Sequence, residues 1–136
     1  MDLVLKPAQI SAMARPRLTL SVSQGSTFYA DIYASNNTGG TVTKDVLVAY
    51  GIYNSDTGEF TMYWGYVATG VSIPVGENIM IGSMECVAEL IGTWDVLGAL
   101  GTYDASTGTF YIESAIVKED ELVVTGTTIT DVQLHT

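Results

Sequence analysis

Apolar and polar residues alternate along most of this chain, and clusters of Gly, Asn, Ser and Asp separate the alternating runs. Between residues 26 and 35, Phe28, Ala30 and Ile32 fall on one face of an extended chain. Apolar residues at helical spacing are almost absent, and only residues 86–91 are compatible with a short helical turn. The pattern therefore predicts an all-β chain of short strands joined by tight turns.

The turn signals divide the chain into about nine strands, spaced as in a β-sandwich or a barrel. Residues 118–121 are charged and predict a turn between the last two strands. Within residues 59–67 the alternation places four large side chains on one face: Phe60, Met62, Trp64 and Tyr66. The expected strands cover residues 17–23, 26–35, 42–53, 59–67, 71–73, 79–91, 94–103, 109–117 and 122–134.

One hairpin sequence occurs twice. Residues 51–67 (GIYNSDTGEFTMYWGYV) and 101–117 (GTYDASTGTFYIESAIV) are identical at six of 17 positions. Each reads as a strand, a five-residue turn and a second strand, and Gly58 and Gly108 stand where the turn requires a positive φ. We expect two copies of one hairpin in a single domain and not a solenoid, because a stack needs three or more repeats.

The 136 residues suit one domain, and the distribution of charge divides them into two parts. Residues 1–17 sum to +2, with Lys6, Arg15 and Arg17 as their cations, and residues 18–136 sum to −12. We interpret the first part as an N-terminal arm and the second as a β-sandwich domain. An acidic body repels nucleic acid and anionic lipid, so neither is expected as a partner. The basic arm suits an acidic neighbour, including another copy of the chain.

Three segments share a recognisable order of loops and strands. Residues 31–50 hold an Asn-Thr-Gly-Gly loop between alternating strands, residues 70–77 hold a Pro-x-Gly-Glu turn, and residues 92–104 form a Gly-Thr-aromatic strand ending in Asp. Together they cover roughly residues 28–117 and resemble CARDB-like immunoglobulin domains. The resemblance implies an immunoglobulin-like Greek-key β-sandwich of about eight to nine strands, without catalytic residues. Such domains serve in adhesion, surface layers, enzyme accessories and virion parts.

Groups suited to catalysis are scarce. The only histidine, His135, lies next to the C-terminus, and the only cysteine, Cys86, is expected to pack in the core. Carboxylates within the strands could equally face water, so no acid–base pair stands out. No phosphate-binding loop is present. We expect no enzymatic activity and no cofactor.

One turn rich in oxygen ligands is the candidate metal site. Asn54, Asp56 and Glu59 follow the spacing at the start of a calcium loop, but Gly65 stands where that loop needs its acidic twelfth residue. Asn and Asp also favour such turns without metal, because they bond their own backbone. We expect a metal-free turn, with calcium at these three residues as the weaker alternative.

The aromatic residues point to an interaction surface. Tyr63 and Tyr66 fall on opposite faces of one predicted strand, so at least one of them is expected at the surface. Exposed aromatic rings anchor protein interfaces or stack on sugars. Tyr63, Trp64 and Tyr66, with the cations of the arm, form the predicted interface.

These features together predict a structural assembly protein, a virion component such as a capsid decoration, turret or minor capsid protein. One cysteine excludes an intrachain disulfide, residues 1–20 do not read as a signal peptide, and no apolar run is long enough to cross a membrane. We expect assembly in a host cytoplasm as a homo-oligomer, with other copies of itself or a capsid protein as partners. The alternative is a carbohydrate-binding or adhesion module at the cell surface, with a glycan as partner.

Overall fold

The computed structural model describes residues 3–6, 13–14 and 19–136, and every regular element within them is a β-strand. The all-β prediction is confirmed. The strands are β1 (Val4–Lys6), β2 (Met13–Ala14), β3 (Leu20–Ser23), β4 (Thr27–Asn36), β5 (Val42–Asn54), β6 (Glu59–Ile73), β7 (Gly76–Val87), β8 (Gly92–Asp104) and β9 (Thr109–Thr125).

The strands form a large sheet of seven and a small sheet of two. The large sheet has the order β1-β9-β8-β5-β6, and β2 and β3 also pair with β9. The three N-terminal strands run parallel to β9, while the other neighbours are antiparallel. The small sheet is the antiparallel pair β4-β7. The immunoglobulin-like Greek-key arrangement stays a prediction.

Several predicted strand ends are wrong because strands run through the expected turns. β6 includes residues 71–73, and β9 continues through residues 118–121. The charged segment thus lies within β9, and its residue Asp120 has a positive φ of 52°. It ends at Thr125 and not at Leu134, and residues 86–91 contain no helical turn.

The hairpin repeat extends over most of the described chain. With a shift of 50 residues, segments 43–67 and 93–117 are identical at 11 of 25 positions. The same shift carries the bounds of β5 onto those of β8, and the start of β6 onto the start of β9. The domain therefore consists of a first repeat, β4-β5-β6, and a second repeat, β7-β8-β9.

A pseudo-two-fold axis relates the two repeats. β5 and β8 pair antiparallel around Val48 and Gly98, which are 50 residues apart. β4 and β7 pair around Ile32 and Gly82, which are also 50 residues apart. A Cβ atom built on Gly98 would lie 3.7 Å from Cδ1 of Ile32. The two central residue pairs therefore lie one above the other, and the axis passes through both sheets.

The large sheet curls around one of its two buried faces. Leu3, beside β1 at one edge, comes close to β6 at the other edge, because a Cβ on Gly65 would lie 3.4 Å from its Cδ2 atom. Leu5 of β1 is buried within this concave core. The other buried members are mostly pseudo-equivalent pairs: Leu47 and Leu97, Ala49 and Ala99, Phe60 and Phe110.

A β-bulge in each repeat decides which side chains face this concave core. The register of β6 against β5 shifts between Met62 and Trp64, which leaves Tyr63 as the extra residue. Met62 faces the concave core, while Trp64 and Tyr66 lie on the other face. The prediction of one shared face is wrong, because a bulge interrupts strict alternation. Glu113 is the corresponding extra residue in β9.

The convex face of the large sheet packs on the small sheet. Val46 and Val48 meet Met84 and Cys86 of β7 in one buried cluster. Beside this cluster, the buried hydroxyl of Tyr50 donates a hydrogen bond to the carbonyl oxygen of residue 87 and accepts one from the amide of residue 89, at 3.0 Å each. Apolar packing and a satisfied buried hydroxyl together hold the two layers in register.

Candidate functional site

Two clefts lie between the sheets, one on each side of the pseudo-two-fold axis. The small cleft, beside β7, has a volume of about 300 Å³. The large cleft, beside β4, has a volume of about 800 Å³. The residues that line them correspond under the 50-residue shift: Tyr66 with Ile116, Ala68 with Lys118, and Val71 with Glu121. The clefts are therefore one structural feature that has diverged in its side chains.

The large cleft is mostly apolar with a few polar groups. Its walls include Ile32, Val96 and Leu100, and Asp31, Lys118 and Glu121 are its charged members. The Oε2 atom of Glu121 is buried and has no hydrogen-bond partner among the described residues. A buried acceptor without a donor is costly, so a rotation of the Glu121 side chain that brings this oxygen to an N–H or O–H group in the cleft would be favoured.

The outer edge of β4 forms the rim of this large cleft. β4 pairs with β7 on one side only, and no described strand pairs with its other side. An unpaired edge presents free backbone N–H and C=O groups to an incoming strand. The rim and the cleft are thus suited to receive an extended chain.

The predicted aromatic residues divide between two places. The ring of Trp64 stacks on Tyr50, with centroids 5.4 Å apart, and Tyr63 meets Trp94 edge-on at 5.1 Å. Tyr63 is 51% exposed, whereas Trp64 is partly buried. Tyr66, 45% exposed, lies instead at the small cleft. We call the first group, Tyr50, Tyr63, Trp64 and Trp94, the aromatic corner.

The pseudo-equivalent place in the other half is a charged corner. There Glu113 replaces Tyr63 and Lys44 replaces Trp94, and their side chains form an ion pair of 2.7 Å. Leu100 and Ser114 stand where the aromatic corner has Tyr50 and Trp64. The fold therefore accepts a ring pair or an ion pair between the same two backbone positions.

The predicted cations of the arm are only partly described. Lys6 ends β1 at an exposed position paired with Tyr111 of β9. Arg15 and Arg17 lie outside the described residues. Both described parts of the arm, β1 and β2, pair with β9 of the same chain.

The candidate metal residues occupy a turn held by local hydrogen bonds. Oδ1 of Asn54 accepts the amide of Asp56 at 3.0 Å, and the backbone carbonyl of Asn54 accepts the amide of Gly58 at 2.7 Å. Glu59 is exposed at the start of β6. Residues 3–6, 13–14 and 19–136 hold no group of three or more His, Cys, Asp or Glu side chains placed to bind a metal. Calcium at this turn stays a prediction.

The second copy of this turn has the titratable residue Asp104 where the first copy has Asn54. Oδ1 of Asp104 accepts hydrogen bonds from the amide and the hydroxyl of Ser106, at 3.0 and 2.6 Å. These bonds favour the carboxylate and lower the pKa of Asp104. Gly58 and Gly108 have φ values of 74° and 68°, as predicted for these turns.

Sequence reasoning missed a pair of carboxylates, Asp95 and Asp45, which we call the aspartate braces. Asp95 accepts the amides of Tyr53 and Asp120, at 2.6 and 2.9 Å. Under the 50-residue shift, Asp45 accepts the amides of Tyr103 and Gly70, at 2.7 and 2.9 Å. Each carboxylate thus joins a hairpin of one repeat to a positive-φ residue within a long strand, which is Asp120 for Asp95 and Gly70 for Asp45. An alignment of the repeats extended to residue 43 would have revealed them, because both positions are Asp.

The only cysteine and the only histidine of the sequence differ in exposure. Cys86 is fully buried, and burial raises the pKa of its thiol to about 11. The thiol is therefore protonated at neutral pH and is not an activated nucleophile. His135 is exposed in the C-terminal segment.

The C-terminal segment, residues 126–136, carries apolar side chains outside the fold. It forms no strand. Ile129, Val132 and Leu134 are 90%, 81% and 95% exposed. Their apolar surface is thus left in water, and burying it against another surface would be favourable.

The described ranges contain no helix with the length and apolar character needed to span a bilayer. Comparison with known protein families, with curated protein sequences and with solved structures finds no match to this chain.

Proposed function

We propose that this chain is a non-enzymatic structural protein that assembles through protein–protein contacts, as a capsid-associated decoration, turret or minor capsid protein of a virion. The observation that carries the proposal is the C-terminal segment, with three exposed apolar side chains, on a chain that also has a large, mostly apolar cleft. Burying such side chains contributes roughly 1.5–3 kcal/mol each, enough to drive association.

The chemistry of the chain also supports the proposed assembly of a virion protein inside a host cell. A single cysteine, buried and protonated, fits folding in a reducing compartment. Tyr29, Tyr33 and Tyr63 add large half-exposed rings, which are enriched at protein interfaces. The immunoglobulin-like Greek-key classification belongs to the same proposal, and an experimentally solved structure would test it.

Size-exclusion chromatography with light scattering on the full chain tests assembly. We expect a discrete oligomer at micromolar concentration. Electron microscopy of intact particles should then show the chain in repeated symmetric contacts on a shell. A full chain that stays monomeric up to millimolar concentration would contradict the proposal.

The aromatic corner favours a second function, a carbohydrate-binding or adhesion module at a cell surface. Tyr63 is held edge-on to Trp94 and keeps half of its surface exposed, as a sugar-stacking ring needs. Tyr63→Ala should abolish saturable binding on a glycan array, while Tyr111→Ala, at an equally exposed ring of β9, should leave it unchanged. An array without hits would exclude this function.

A further inference from the structure

We propose that the C-terminal segment of a second copy adds as an antiparallel strand to the outer edge of β4 and fills the large cleft. The inference rests on the proposed assembly function and names its contact. It follows from the internal repeat, the open edge of β4 and the point after Thr125 at which the segment leaves the fold.

The C-terminal segment shares two residues, at equivalent positions, with the sequence that opens β7. Gly126 and Ile129 correspond to Gly76 and Ile79 under the 50-residue shift, and Leu134 corresponds to Met84. The segment therefore begins like the first strand of a further repeat. In β7, Met84 is buried against the large sheet, so the corresponding Leu134 is suited to the same kind of surface.

The place that symmetry assigns to this segment is already filled. The pseudo-two-fold axis carries β7 onto β4, so a strand that followed β9 as β7 follows β6 would coincide with β4. The segment is left without a strand partner in its own chain. The open outer edge of β4 is the nearest equivalent surface, since it adjoins a cleft of about 800 Å³ between the same two sheets.

Chain direction selects a second copy as the donor. β7 pairs antiparallel with β4, and we expect the same sense here because antiparallel pairs are slightly more stable. The amide of Gln24 donates to the carbonyl of Thr125 at 2.8 Å, so the segment leaves the fold beside the first residue of β4. An antiparallel strand must enter at the other end of β4, roughly 33 Å away, which would use the entire 11-residue segment. Only another copy can enter there.

The cleft has the chemistry that such a strand needs. Its apolar walls match Val132 and Leu134, which lie on one face of an extended strand, and the wall residue Glu121 has a buried oxygen without a donor. The segment supplies backbone amides and the hydroxyls of Thr128 and Thr130. The small cleft is less suitable, because Tyr66 stands there in place of Ile116 and Val71 in place of Glu121.

A labelled peptide of residues 126–136, titrated into a chain truncated after Thr125, tests the contact directly. We expect saturable binding, seen as a rise in fluorescence anisotropy. Val132→Asp with Leu134→Asp in the peptide should weaken binding by at least about tenfold, because these two side chains lie on one face of an extended strand. Thr127→Asp with Gln133→Asp adds the same charge on the opposite face of the strand and should weaken binding far less.

The pseudo-symmetry supplies a matched control on the receiving side. Ile116→Asp places a charge in the large cleft, and Tyr66→Asp places one at the corresponding position of the small cleft. Only the first should abolish peptide binding. Both side chains are 45% exposed, so both variants should fold, which thermal denaturation checks.

Light scattering separates this inference from the assembly function. If the full chain is an oligomer and the chain truncated after Thr125 is a monomer, both are supported. An oligomer that survives the truncation overturns the strand contact alone. A monomeric full chain overturns both, and so does a monomer whose own segment is protected from hydrogen exchange against its own cleft.

Discussion

The aromatic corner and the charged corner occupy the same backbone positions in the two repeats and are held in different ways. At one corner Tyr63 meets Trp94, and at the other Glu113 meets Lys44. The hairpin turns, the bulges and the aspartate braces are the same in both halves. The difference shows that this fold depends on the turns, bulges and aspartate braces that both halves share. The side chains at the two corners can therefore differ without changing the fold.

The largest expected effect concerns the glycines beside the bulges. A Cβ on Gly51 would overlap the carbonyl oxygen of Thr61, and one on Gly101 would overlap that of Tyr111. We expect Gly51→Ala and Gly101→Ala each to lower the free energy of unfolding by about 3 kcal/mol, measured by denaturant titration. Gly39→Ala is the control, since its Cβ meets nothing within 4 Å. If one glycine tolerates alanine and the other does not, the two halves are not equivalent.

The aspartate braces come next. Asp95→Asn turns an acceptor for two amides, at 2.6 and 2.9 Å, into a group with one oxygen. We expect a loss of about 2 kcal/mol for Asp95→Asn and about 1 kcal/mol for Asp45→Asn, because only Asp95 is buried. Denaturant titration of both variants checks the order. A larger loss at Asp45 would mean that burial does not set the strength of the brace.

The two corners themselves can be compared by double-mutant cycles. We expect a coupling of about 1 kcal/mol between Tyr63 and Trp94 that salt leaves unchanged. The ion pair of Lys44 and Glu113 is partly exposed, so its coupling should be about 0.5 kcal/mol or less and should fall in 1 M salt. Equal salt dependence of the two couplings would refute the assignment of a ring contact and an ion pair.

The smallest effect distinguishes the two hairpin turns by pH. The folded-state pKa of Asp104 is lowered, so its contribution to stability is present above its ordinary pKa of 3.8 and is lost as pH falls through the lowered value. An NMR titration should show this low pKa, and Ser106→Ala should move it back upward. Asn54 holds the equivalent position and cannot titrate. An unshifted Asp104 carboxyl would show that the hydroxyl bond does not form in solution.

Sequence reasoning recovered the repeated hairpin but not its full extent. The turns at Gly58 and Gly108 were predictable because a positive φ favours glycine, and both have it. The bulge at Tyr63 was not predictable, because the alternating sequence pattern does not reveal where a bulge interrupts it. Asp45 and Asp95 look like ordinary surface carboxylates until the partner hairpin is placed beside them.

The candidate site was predicted in part. The exposure of at least one of Tyr63 and Tyr66 was expected, and both are about half exposed. The placement of Tyr63 against Trp94 and of Tyr66 at the small cleft was not expected, because it depends on the bulge and on where the small sheet lies. The large cleft had no signal in the sequence, since its walls come from residues far apart along the chain.

By itself, the sequence determined local matters: the all-β character, the positions of the glycine turns, the duplicated hairpin and the acidic surface. These depend on neighbouring residues, whose steric and polar preferences act within a few positions of the chain. Only the tertiary structure decided the pseudo-two-fold axis, the aspartate braces, the two unequal clefts and the exposure of the C-terminal segment. Each of these arises when strands some 50 residues apart pair and pack, and no local preference of the chain specifies that meeting.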